Sequence, residues 1–98
     1  METCEMKDWI TFNLNYSIRF NLTELGAQIL ADNHNKYAIY SPSIGLRTAQ
    51  YYMDKESEKG YTQMQLWCFI EDFGNHIGMC KDQVIIGNNI HFDPTKNA

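Results

Sequence analysis

The sequence predicts a small α+β domain in which an antiparallel sheet packs against two helices. Three observations predict it. Apolar residues alternate with polar ones near the N-terminus, an aromatic-rich stretch in the second half has helical spacing, and two short apolar runs near the C-terminus flank a turn cluster. Ninety-eight residues are one domain's worth of chain, taken here as residues 1–98. With 44% hydrophobic and 13% aromatic residues, the chain can bury a core and is not disordered by composition.

Residues 1–8 are polar and expected to fray, with Trp9 as the first anchor. Ile10, Phe12, Leu14, Tyr16, Ile18, Phe20 and Leu22 then occupy alternate positions, as in a strand with one buried face. The run is long for one strand, and Asn13 and Asn15 are weak strand formers. A break is therefore expected at those two residues, with 16–22 as the paired part. Thr23 is a helix N-cap, and Glu24 suits the positive end of the helix dipole. The helix is expected over 24–34 with Leu25, Ile29 and Leu30 inward. Gly26 costs about 1 kcal/mol against Ala there and would allow strand and helix to approach closely.

Residues 36–60 are the least regular and form a variable middle. Ser41, Pro42, Ser43 and Gly45 mark a loop. Residues 46–53 fit a short strand, through Thr48, Tyr51 and Tyr52, or equally a helical turn. The run D-K-E-S-E-K-G over 54–60 reads as a charged surface linker. It leads into the most apolar segment, Y-T-Q-M-Q-L-W-C-F-I-E-D-F-G, residues 61–74. Thr62 and Gln65 have capping-box spacing, and Leu66, Phe69, Ile70 and Phe73 fall on one helical face. Met64 and Trp67 widen that face, and Gly74 is placed for a left-handed C′ position. A helix running from the Thr62 cap to Phe73, around which the rest packs, is the expectation.

Beyond Gly74, residues 75–78 turn, and Met79 and Cys80 are expected to be half-buried. Residues 84–86 and 90–92 are apolar runs separated by Gly87, Asn88 and Asn89. At least the second is expected to be a strand, pairing with 16–22, and the tail over 93–98 is expected to fray.

Chemistry is signalled only by exclusion. A net charge of −4 with eight scattered Lys and Arg offers no basic patch for nucleic acid. No signal peptide and no membrane span are expected, since no window is long and apolar enough. Three irregularly spaced cysteines, Cys4, Cys68 and Cys80, fit reduced thiols in the cytoplasm. The Asn21-Leu22-Thr23 sequon then carries no glycan, and Cys68 reads as a small buried residue. His76 and Cys80 are four apart, but Gly78 lies between them and no second ligand pair exists, so no metal site is expected. Ser41 and Ser43 lack an adjacent base, and no nucleophile elbow or glycine-rich phosphate loop occurs. Glu71 and Asp72 would point about 100° apart on a helix, so they read as its solvated face. No catalytic residue and no cofactor are expected.

The remaining signal is a surplus of tyrosines around the middle. Tyr37, Tyr40, Tyr51, Tyr52 and Tyr61 either fill the core or stand exposed and anchor a partner, as tyrosines do at interfaces. A base-stacking platform would need the basic groove that is missing. Two segments also carry a resemblance. F-N-L-T-E-L-G-A-Q-I-L (20–30) and Y-T-Q-M-Q-L-W-C-F-I-E-D-F-G-N-H-I-G-M (61–79), with the closing N-N-I-H-F (88–92), resemble small phage- and prophage-encoded proteins. Those proteins share an L-T-E-x-G strand–helix start and a Y-x-x-M-Q-L-W-x-F-M-x-x-F-G helix. The likeness spans about two thirds of the chain, and it departs at Ile70, Cys80 and throughout 36–60. It brings no catalytic residues with it. It implies an accessory protein, acting in the host bacterial cytoplasm, that binds and inhibits a host protein such as a CRISPR effector or another defence component. The contact candidates are Tyr37, Tyr40, Tyr51, Tyr52, Asp54, Glu56 and Glu58. A homodimer formed through an exposed edge strand is the alternative, and a small enzyme a third reading.

Overall fold

The computed structural model describes residues 11–41 and 43–93. The expectations for 1–8, Trp9, Ile10, Cys4, Pro42 and 94–98 lie outside the described residues. The fold is α+β, an antiparallel sheet packed against helices, and the described residues hold three α-helices rather than two.

The long alternation shortens to β1 (Ser17–Phe20), and the break falls where the asparagines are. Asn13 Oδ1 accepts from the Asn15 amide at 2.8 Å, and the Tyr16 amide donates to the Asn13 carbonyl at 2.9 Å. This local turn competes successfully with strand pairing. Beyond it, Ile18, Phe20 and Leu22 are buried, the inner face that the alternation requires.

Thr23 then caps α1 (Glu24–Ala38), accepting from the Gly26 amide at 3.1 Å and donating its hydroxyl to the Gln83 carbonyl at 2.7 Å. The inward residues are Ala27, Ile29, Leu30 and Ala31, whereas Leu25 is exposed, correcting its inward placement. The close approach at Gly26 is to the Val84 backbone and the Leu22 side chain, which a Cβ would strike. The helix runs past His34 because its asparagines bond outward instead of to their own backbone. Asn33 reaches Asp72, and Asn35 clamps both backbone groups of Arg47.

The middle is a second helix, α2 (Ala49–Lys59), capped by Thr48 and closed by Gly60 at φ 91°. The charged linker over 54–60 is thus corrected: residues 54–59 form its second half and Gly60 caps it. Ala49, Tyr52, Met53 and Glu56 make its inward stripe at helical spacing. The fourth member is a carboxylate, so the apolar pattern is broken in the sequence.

The capping box is also corrected. Thr62–Gln65 form β2, antiparallel to β1, with Ile18 opposite Met64 and Phe20 opposite Thr62. The Thr62 hydroxyl donates to Glu56 instead of capping a helix. The third helix, α3 (Leu66–Phe73), starts three residues later than expected, with Gln65 instead of Thr62 at its N-cap position. Its first amides are satisfied by the turn before β1: Leu66 donates to the Tyr16 carbonyl and Trp67 to the Leu14 carbonyl. Only Phe69 and Phe73 of its apolar stripe are buried; Ile70 and Trp67 stay exposed. Gly74 is right-handed at φ −54° and leads into a 3-10 turn, Gly74–His76, so it is not a left-handed stop.

Met79 and Cys80 are exposed, not half-buried. Val84 and Ile85 are buried and Ile86 is exposed. The expected C-terminal strand reduces to single bridges, Leu22 to Ile85 and Arg19 to His91, on the edge of β1 away from β2. Between them Gly87 and Asn88 supply the left-handed turn, at φ 67° and 54°. At the centre, Phe20 meets Phe69 and Phe73 edge-on, with centroids 5.2 and 6.1 Å apart.

Candidate partner-binding face

The connection between α1 and α2 is apolar and yet faces solvent. Tyr37, Ile39, Tyr40, Ile44 and Leu46 are all exposed, Tyr40 at 87% and Leu46 at 76%. Scattered apolar residues on a surface need no explanation, but five within ten residues make a patch of the kind that marks binding sites. Its base is pinned. Besides the Asn35–Arg47 clamp, His34 Nε2 donates to the Gly45 carbonyl at 2.8 Å, which fixes the ring's tautomer. The Arg47 guanidinium lies 4.8 Å from the Tyr51 ring centroid and bonds the Tyr52 hydroxyl at 3.2 Å. That bond, against a smaller loss from burial, pushes the arginine's pKa up.

Beside this patch lies a shallow groove of about 370 Å³ where α1, α2, α3 and β2 converge. Leu30, Tyr37, Tyr52 and Met64 give it apolar walls, and Asn33 and Asp72 are its polar groups. Asp72 is half-buried, not on a solvated face as its helical position suggested. Burial pushes its carboxyl above the usual range, and the Asn33 amide at 3.2 Å counters part of that. The half-buried Cys68 thiol is likewise pushed up, by desolvation first and then by Asp72 and Glu71.

The expected contact residues divide. Tyr37 and Tyr40 project from the patch, Tyr51 stands edge-on to Tyr52 at 5.1 Å, and Tyr52 walls the groove. Asp54 and Glu58 are on the exposed side of α2, Asp54 held by Gln50 at 2.7 Å. Glu56 does not belong with them. It is buried, and its Oε1 accepts from the Leu22 amide and the Thr62 hydroxyl, both at 2.8 Å. The sequence reading missed Ile39, Ile44 and Leu46. Their signal was apolar residues without periodicity inside a Ser/Pro/Gly loop, where a core strand or helix cannot use them.

The polar groups of the groove hold structure. His34 anchors the loop, Thr62 serves Glu56 and Asp72 holds Asn33. Among the described residues, no three of His, Cys, Asp and Glu stand close enough to hold a metal ion. No helix among them is long and apolar enough to cross a membrane. Set against protein-family models, curated proteins and solved structures, the chain finds no match in any of the three.

Proposed function

We propose that this is a non-enzymatic accessory protein that acts by binding another protein through the 37–46 patch and the adjoining groove. The observation that supports it is the set of five exposed apolar side chains, Tyr37, Ile39, Tyr40, Ile44 and Leu46, on a pinned base. A pinned base lowers the ordering cost of binding, and tyrosines add contact area at low rotamer cost. The partner class follows the phage-protein resemblance: a host protein in the bacterial cytoplasm, with an anti-defence, CRISPR-inhibitor-like role as the specific reading.

The test is affinity capture of the tagged full chain from lysate of a bacterium with active defence systems, read by mass spectrometry. The same experiment is run with the Tyr40→Ser, Leu46→Ser double variant. A stoichiometric host protein held by the wild type and lost from the variant is the expected result. Equal capture by both chains would remove the patch from the interface, and no capture by either would remove the host-protein reading.

A further inference from the structure

The hydrogen-bond phase of the sheet shows which edge is open. In an antiparallel ladder, successive residues turn their N–H and C=O to opposite sides. The Leu66 amide bonds the Tyr16 carbonyl at 2.9 Å, and by the register Ile18 and Phe20 face β2 in the same way. Arg19 faces the other side and exchanges both backbone bonds with His91, at 2.8 and 2.7 Å, while the Asn21 carbonyl accepts from Ile86 at 2.8 Å. β1 is therefore bonded on both sides, to β2 through Ile18 and Phe20 and to the C-terminal segment through Arg19 and Asn21. On β2, Thr62 and Met64 turn inward, so Gln63 turns its N–H and C=O away from the sheet, where no described residue bonds them. Its side chain is occupied on the outer face, with Oε1 accepting from Arg19 Nε at 2.9 Å.

This open edge lines the groove. Thr62, Gln63 and Met64 form part of its wall opposite Tyr52. Two smaller depressions extend it. One shares Asn33, Tyr37 and Asp72 with the groove and adds Lys36 and Glu71. The other shares Tyr52, Thr62 and Gln63 and adds Lys55, Lys59 and Tyr61. Together they make one channel with an apolar middle. Two carboxylates against one lysine make one end acidic. At the other end two lysines face Glu56, whose Oε1 is held inside the fold.

We infer that this channel takes an extended peptide segment of the partner protein, added to β2 as an antiparallel strand. Backbone exchange at Gln63 supplies affinity, and side chains at alternate positions enter between Tyr52, Leu30 and Met64. The segment carries apolar residues at alternate positions, a basic residue where it passes Glu71 and Asp72, and an acidic residue where it passes Lys55 and Lys59. This rests on the protein-binding reading and deepens its groove half, which meets the 37–46 patch at Tyr37.

The test is selection of a random-sequence peptide library on the immobilised full chain, followed by titration of the enriched peptides. The key variant is Gln63→Pro. It removes an N–H that the fold does not use, at an edge position that tolerates proline. Expected are peptides with alternating apolar residues between a basic and an acidic end, at least about ten-fold weaker binding to Gln63→Pro than to Gln63→Ala, which loses the same Arg19 contact, and similar melting temperatures for the two variants. If Gln63→Pro unfolds, loss of hydrogen exchange at the Gln63 amide of the wild type on peptide addition decides instead. Peptides that bind both chains equally, no enrichment, or an unprotected Gln63 amide would overturn the channel. So would a concentration-dependent dimer abolished by Gln63→Pro, because the occupant would then be a second copy. Capture of a host protein that depends on Tyr40 and Leu46 but not on Gln63 would leave the protein-binding reading standing without the peptide.

Discussion

The two ends of α1 sit in opposite surroundings. At its start, Thr23 is bonded to Gln83 and Val84, Gly26 is pressed against the Val84 backbone, and Ala27 is fully buried. At its end, Tyr37, Ile39 and Tyr40 stand in solvent. Apolar content is similar at both ends, so composition does not separate them. What separates them is the partner within the fold: β1 and the 83–86 segment cover one end, whereas at the other the 45–47 segment bonds His34 and Asn35 and leaves Tyr37, Ile39 and Tyr40 exposed. An apolar surface that the core does not use is the physical reason for assigning binding to the second end.

The largest expected effects fall on the covered side. Phe73 is fully buried against Phe20 and Phe69, so Phe73→Ala is expected to cost about 3–5 kcal/mol in denaturant unfolding. Tyr40→Ala at the other end is expected to stay within about 0.5 kcal/mol. Trp67 belongs nearer to Tyr40 than to Phe73, since the residue is 44% exposed. A Tyr40→Ala loss comparable with that of Phe73→Ala would show that the patch is folded into a core after all.

A matched pair of glycines sharpens the contrast. A Cβ on Gly26 meets the Val84 carbonyl oxygen and Leu22, while a Cβ on Gly45 meets nothing within 4 Å. Gly26→Ala is expected to lower stability by about 1–3 kcal/mol through overpacking, and Gly45→Ala by less than about 0.5 kcal/mol. Equal melting temperatures for the two variants would mean that the 83–84 segment can retreat without cost.

Glu56 tests whether α2 belongs to the covered side. Glu56→Ala leaves the Leu22 amide and the Thr62 hydroxyl without their acceptor, with an expected loss of about 1–3 kcal/mol. Glu56→Gln keeps an oxygen acceptor and is expected to recover part of it. An unchanged unfolding midpoint for Glu56→Ala would make the buried carboxylate dispensable.

The same residue explains what was legible in the sequence and what was not. The inner face of β1, the Thr23 cap and the turn at 87–89 could be read, because each is set by local spacing or by one side chain acting on its own backbone. α2 could not, because its inward stripe ends in a glutamate whose partners, Leu22 and Thr62, come from other elements. Thr62 and Gln65 carried a true local helix-start pattern, and long-range pairing with Phe20 and Ser17 overrode it. Tyr37 and Tyr40 were legible as candidates from residue type alone. Their exposure was not, since it depends on where α1 ends. The open edge at Gln63 was invisible for the same reason, because it needed the strand register.

Asp72 lies between the two regions, at the groove, and gives the smallest expected effect. Its carboxyl is raised chiefly by burial, with Asn33 opposing and Glu71 adding to the shift. A carboxyl whose pKa is raised on folding favours the native state when protonated. That advantage is complete below the unfolded pKa and is lost as pH rises through the folded value. At neutral pH the ionised Asp72 therefore costs stability, while solvent at this half-exposed site keeps the cost small. Asp72→Asn is expected to raise the melting temperature slightly at pH 7 and to make no difference at the acid end of the range. A variant less stable than wild type at pH 7 would mean that the Asn33 bond outweighs desolvation. The groove's polar end would then be held together by a charge that the fold needs.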